Sequence, residues 1–237
     1  ENHLHGGNKG FESVVWKVDL FTENKLFLSY FSPHMDGGYP GNLTVSVEYQ
    51  LTDENELSIQ YFAQSDQTTI INLTHHSFFN LKGAGNGNVN DHLLQINADY
   101  FTPIDDQLIP TGVIQKVVNT PFDFLLPTQI GSRIDALDDQ LTYGHGYDHN
   151  YVLNPSDSIV SFAARVVEPV SKRTLEVYTN EPGMQFYGGN FLDGTVKGKK
   201  DKNYEHRGAF CLETQHFPDS PNKIQFPSTS LAAKEPY

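Results

Sequence analysis

Leu43-Thr-Val45-Ser-Val47-Glu-Tyr49-Gln-Leu51 alternates from residue to residue without a break, and Leu57-Ser-Ile59-Gln-Tyr61-Phe-Ala63 resumes the alternation after Asp53-Glu-Asn55. Strand side chains point to opposite faces in turn, so a period of two over nine residues predicts a strand with one buried face. The turn residues between the two runs make them a hairpin. Working outward, Val14–Leu20 and Leu26–Tyr30 form a second pair joined through Glu23-Asn24, and Leu94–Tyr100 alternates as well. Further strands are expected at Ser158–Val167, Thr174–Thr179, Gly208–Gln215 and Lys223–Phe226. A single short helix is expected at Ser132–Gln140. The 19 glycines and 13 prolines fall mostly between these runs, where turns need them. The expected fold class is therefore all-β, a sandwich or barrel. The polar loop 83–90 divides strands rather than domains, and no internal repeat interrupts the pattern. One domain over residues 1–237 is expected.

Composition narrows the function. Sixteen basic against 29 acidic residues give a net charge of −13. Without a basic block, such a chain is a poor partner for nucleic acid or an anionic membrane. No apolar run approaches a membrane span. Cys211 is the only cysteine, which excludes an intrachain disulfide. Together with the lack of a signal peptide, this makes a reducing, cytoplasmic setting the expectation.

Ten histidines invite a metal reading, but spacing opposes it. His75 and His76 are adjacent in an extended run and point apart. His145 and His149 have helical spacing, but Gly144 and Gly146 flank them against a helix. His3 and His5 have no carboxylate or third ligand nearby, and a catalytic metal needs about three protein ligands. No metal and no cofactor is expected.

Three neighbourhoods concentrate chemistry. Asn72-Leu-Thr-His-His76-Ser-Phe-Phe-Asn80 places titratable side chains in a strand-like apolar run, where a lone histidine is more often a hydrogen-bonded core residue. Gly146-Tyr-Asp148-His-Asn-Tyr151 suits a tight turn entering a strand, with Asp148 able to accept from ligand hydroxyls or to hold its own turn. In Phe210-Cys211-Leu-Glu213-Thr-Gln215-His-Phe-Pro218, alternation puts Cys211, Glu213 and Gln215 on one face. A carboxylate there is costly to bury unless paired or functional, and burial would raise its pKa into the range of a general base.

These segments fit one family. Asn2-His-Leu-His5-Gly-Gly, Gly38-Tyr-Pro-Gly41-Asn-Leu, His76-Ser-Phe-Phe-Asn-Leu81, Gly146-Tyr-Asp148-His-Asn, Gln185-Phe-Tyr-Gly-Gly-Asn190 and Cys211-Leu-Glu213-Thr-Gln-His-Phe-Pro-Asp219 occur in order. In that order they resemble motifs of the aldose 1-epimerase, or galactose mutarotase, family. The resemblance implies a large antiparallel β-sandwich of the galactose mutarotase supersandwich type and the interconversion of α and β anomers of aldohexoses such as galactose and glucose. It implies Glu213 as general base and His76 as general acid, with His5, Asp148 and Gln185 contacting a monosaccharide substrate. Glu213 would work as carboxylate and His76 as imidazolium. His75 stands where the family usually has Asn, and Phe78 where it often has Tyr. The chain begins inside the first motif, so the family's leading strands and site arginine, and its last strand, are expected to be missing.

Other readings compete. A sugar-phosphate epimerase would need Lys or Arg converging on phosphate, and the motifs contain none. A glycoside hydrolase would use Asp148 and Glu213 as its carboxylate pair. A non-catalytic sugar-binding or regulatory module would keep the pocket without turnover. Trp16 could face a sugar, although a tryptophan on an alternating strand more often belongs to the core.

Overall fold

The computed structural model describes residues 2–237. They group into two compact units: the chain up to Leu73 together with Thr229–Tyr237, and Thr74–Ser228.

The first unit carries β1 (Lys17–Phe21), β2 (Lys25–Ser32), β3 (Leu43–Leu51) and β4 (Leu57–Ser65) as an antiparallel sheet in chain order. The hairpin read from residues 43–63 is β3–β4, with Leu43 opposite Ser65 and Leu51 opposite Leu57. Its alternation becomes burial: Leu43, Val45 and Val47 are covered while Thr44 is exposed. β5 (Thr69–Ile70) follows. Leu43, Val45, Ala63, Ile71 and Leu231 form the core, with Phe11 and Trp16 packed on it. Trp16 lies edge-on to Phe11 and donates its indole N–H to the Phe11 carbonyl at 2.9 Å. It is a core residue of this unit.

The second unit holds two sheets. One runs β12-β11-β6-β9, from β6 (Leu93–Ile96), β9 (Thr128–Gln129), β11 (Ser161–Val167) and β12 (Thr174–Thr179). The other runs β14-β13-β10-β7-β8, from β7 (Tyr100–Thr102), β8 (Gln115–Lys116), β10 (Asp148–Val152), β13 (Gly183–Tyr187) and β14 (Cys211–Gln215). All pairings are antiparallel. One buried cluster draws on both sheets, with Leu94, Ile96, Ala164 and Val166 from the first and Phe101, Tyr151, Met184, Phe186 and Leu212 from the second. Two sheets sharing one core make this an antiparallel β-sandwich, the fold class the alternation predicts. β15 (Ser230–Leu231) pairs with β5 in the first unit.

Four expectations need correction. The only α-helix among the described residues is α1 (Asp139–Tyr143), not Ser132–Gln140. It starts where the Asp138 carboxylate accepts the Gln140 N–H, whereas Ser132 ends a 3₁₀ turn and its hydroxyl donates to the Gln129 carbonyl at 2.7 Å. Lys223–Phe226 forms no strand, because 220–222 coil as a 3₁₀ turn under Pro221. β13 is a central strand that the alternation survey passed over, since Gly183 and Gly188-Gly189 bracket it like a loop. Finally, 72–81 is extended but joins no sheet except at one bridge, Phe79 to Phe210.

Candidate active site

β10, β13 and β14 lie side by side, and their register fixes which side chains share a face. Asn150 stands opposite Gln185, and Gln185 opposite Glu213. Asp148 stands opposite Tyr187, and Tyr187 opposite Cys211. Because side chains alternate, Asp148, Asn150, Gln185, Tyr187, Cys211, Glu213 and Gln215 share one face. His149, Tyr151, Met184, Phe186 and Leu212 occupy the other, and all five are buried. Core packing on one face thus orients a polar array on the opposite one.

The Phe79–Phe210 bridge brings in His76. Phe79 and Phe210 exchange both backbone hydrogen bonds, at 2.8 and 2.9 Å. The bridge is antiparallel, so the extended chain before Phe79 runs past the residues that follow Phe210, which brings His76 near Glu213. The Asn80 amide anchors this segment, donating to the Gly208 and Gly87 carbonyls at 2.9 Å each. His76 Nε2 lies 3.4 Å from Glu213 Oε1. The imidazole stacks on Phe78 at 4.9 Å between centroids and meets Tyr187 edge-on at 5.9 Å. The Glu213 side chain is 8% accessible and that of His76 35%, so the carboxyl sits at the bottom and the ring at the rim.

Gln185 donates its Nε2 to Asp148 Oδ1 at 2.8 Å, tying the fourth and fifth of the six ordered motifs together. Gly146 and Asn190 hold the same two segments at their ends. The Asn190 amide donates to the Gly144 and Tyr147 carbonyls at 2.9 and 2.8 Å. Gly146 sits at φ 132° with no room for a Cβ, which would fall 2.4 Å from Asn190 Oδ1.

Burial, then the charge of Asp148, pushes the Glu213 carboxyl up to about 8. The Glu213 carboxyl therefore takes up and releases its proton much nearer neutral pH than an ordinary carboxyl does. Burial also pushes the Cys211 thiol up and lowers His75, whose Nδ1 lies 3.2 Å from Ser77 Oγ. His149, on the core face, is held neutral by burial with a pKa of about 3, and its Nδ1 accepts the Asp148 N–H at 3.1 Å.

Four of the five residues expected at the site (His76, Glu213, Asp148 and Gln185) belong to the second unit, on or beside this face. His5 belongs to the first unit, exposed in a turn at φ 53°, and its role rests on its motif alone. The sequence reading did not place Asn150 or Tyr187 in the array, although period two from Asp148 and Gln185 reaches both. It also weighed metal ligands only among histidine pairs. A ring nitrogen of His76, the Cys211 Sγ and a Glu213 carboxylate oxygen lie within 4.8 Å of one another.

A buried carboxyl of raised pKa, an imidazole in reach of it and a lining of hydrogen-bonding side chains on a β-sandwich form an arrangement chemically able to transfer protons. The family model for aldose 1-epimerase matches residues 1–237. Galactose mutarotase of Rattus norvegicus is 47% identical over 236 residues, covering 100% of this chain and 67% of the relative. Aldose 1-epimerase of Escherichia coli (strain K12) is 38% identical over 226 residues, covering 95% and 64%. Among solved structures, an aldose epimerase homologue from C. elegans superposes with a TM-score of 0.89 at 31% identity, covering 99% of this chain and 69% of that one. Galactose 1-epimerase from Lactobacillus acidophilus gives 0.85 at 31% identity, covering 99% and 67%. The chain belongs to the aldose 1-epimerase family and spans about two thirds of the length of these relatives. No helix among its described residues is long and apolar enough to cross a membrane.

Proposed function

We propose that this protein is an isomerase that interconverts the α and β anomers of an aldose, aldohexoses such as galactose and glucose being the expected substrates. Opening the hemiacetal ring requires a base at the C1 hydroxyl and an acid at the ring oxygen. Glu213 takes the C1 hydroxyl proton, and His76 protonates the ring oxygen as the C1–O bond breaks. Rotation about C1–C2 presents the other carbonyl face, and the two groups exchange roles as the ring closes. Neither atoms nor electrons are gained or lost, so no redox partner or co-substrate is required.

The observation that carries the proposal is the 3.4 Å pairing of His76 Nε2 with Glu213 Oε1 on an otherwise hydrogen-bonding face. A base with a pKa near the working pH is the efficient choice, and each acid or base contribution is worth about 10²- to 10⁴-fold. Asp148 and Gln185, joined at 2.8 Å, offer a fixed acceptor and amide for sugar hydroxyls, which adds the orientation term. β10, β13 and β14 contain no Lys or Arg, which disfavours a sugar phosphate as substrate.

The experiment is polarimetry of freshly dissolved α-D-galactose, with wild type beside Glu213→Gln. Accelerated exchange that the variant loses supports the proposal. Binding of galactose without acceleration would favour the sugar-binding module instead.

A further inference from the structure

Cys211 has no part in the acid/base chemistry, yet its sulfur shares a face with Glu213, two residues along β14. Strand geometry makes that placement permanent, because residues i and i+2 point the same way. His76 reaches the same spot from the segment bridged to Phe210. The three ligand atoms already lie within 4.8 Å of one another, and the His76–Glu213 contact is 3.4 Å. In a tetrahedral site with bonds of about 2.0–2.3 Å, ligand atoms stand about 3.3–3.8 Å apart. One contact is already at that spacing. The spacings to the Cys211 sulfur are no longer than 4.8 Å, so small side-chain adjustments bring all three ligand atoms to that distance.

Resting on the acid/base reading of His76 and Glu213, we propose that His76, Cys211 and Glu213 form an inhibitory binding site for a borderline-soft divalent cation such as Zn2+. One thiolate, one imidazole and one carboxylate make a donor set suited to Zn2+, Co2+ or Cd2+ and unsuited to Mg2+ or Ca2+, which require oxygen cages. Binding displaces the Cys211 S–H proton and, where Glu213 is protonated, its carboxyl proton, and the released protons pass to solvent. No oxidant or reductant is involved. The bound cation takes the Glu213 lone pair that would accept the C1 hydroxyl proton and the His76 nitrogen that would donate to the ring oxygen. Both catalytic groups are withdrawn together, and the enzyme stops without unfolding. Cys211 supplies selectivity, because without the sulfur only two protein ligands remain.

The test combines binding and turnover. Cd2+ serves as optical probe through its thiolate charge-transfer absorption, and Zn2+ as inhibitor in the anomer-exchange assay. The expected result is one Cd2+ per chain with the thiolate band, absent in Cys211→Ser and in Cys211→Ala. Zn2+ at about 10–100 μM slows wild-type exchange at least ~10-fold, a chelator restores it, and Mg2+ at millimolar levels has no effect. Measured against each variant's own metal-free exchange rate, both cysteine variants need at least ~10-fold more Zn2+ for the same fractional inhibition. If neither variant folds, the wild-type band and its 1:1 titration still decide. No thiolate band, or equal Zn2+ inhibition with and without Cys211, overturns the site and leaves the acid/base pair intact. A stoichiometric thiolate band with unchanged exchange overturns the inhibition and counts against the acid/base pair itself.

Discussion

The two faces of the sheet β14-β13-β10-β7-β8 are built from the same strands and behave as different materials. On one, Phe101, Tyr151, Met184, Phe186 and Leu212 are all buried in the sandwich core. On the other, Asp148, Asn150, Gln185 and Glu213 stand side by side, and the Asn150 and Gln185 side-chain oxygens have no protein partner. Asp148 and His149 are chain neighbours, yet one joins the polar array and the other is buried neutral among Phe101 and Phe122. The same contrast separates two histidines. His149 is locked in the core, while His76 stands at the rim against a carboxyl. Apolar packing on one face makes the backbone rigid enough to hold a costly buried carboxyl on the other, and a one-residue slip would exchange the two sets.

The sharpest break of this contrast is Glu213→Gln, which keeps the shape of the polar face and removes its base. Anomer exchange should fall by about 10²- to 10⁴-fold with the fold unchanged by circular dichroism. Phe186→Ala does the reverse, opening the core face at a fully buried ring. It should cost roughly 3–5 kcal/mol in denaturant unfolding. Activity per folded molecule should change less than in Glu213→Gln.

Stability against pH separates the faces again. Glu213 carries a folded-state pKa of about 8 against 4.5 for an ordinary carboxyl, so it favours the fold when protonated. That advantage is whole below pH 4.5 and is lost as pH rises through 8. Glu213→Gln should therefore match wild type near pH 4 and exceed it near pH 9 by roughly 2–4 kcal/mol. Urea melts at the two pH values test this, and a constant difference would refute it.

A smaller effect probes what holds Glu213 high. Wild-type kcat/KM should rise with pH along a limb set by the carboxyl near pH 8. Asp148→Asn removes a negative charge that disfavours ionisation, so the limb should move to lower pH, whatever happens to its height. The smallest effect is expected at Phe78, half-exposed and stacked on His76. Phe78→Tyr should change exchange by less than about threefold and stability by under ~0.5 kcal/mol. A large change would mean that the ring sets the orientation of the acid.

Much of this was legible in the chain. Unbroken alternation delimits β3 and β4 nearly to the residue, and period two in 211–215 puts Cys211 on the same face as Glu213. The misses have physical causes. Helix α1 is short and depends on the Asp138 cap. β13 is flanked by glycines that resemble loop signals. The 72–81 run looks like a strand but finds a partner only at Phe79.

What the sequence alone determined is the period, and with it which side chains share a strand face, because pleating is local and needs no partner. It also determined the family, through six ordered motifs. Only tertiary structure decided that Asp148 meets Gln185 and that His76 stands 3.4 Å from Glu213. Those pairings join chain segments 37 and more residues apart, which the packing of the folded chain brings together. The height of the Glu213 pKa was decided in the same way. Its direction follows from burying any carboxyl, but its value depends on how much water the folded sheet excludes and how near it brings the charge of Asp148.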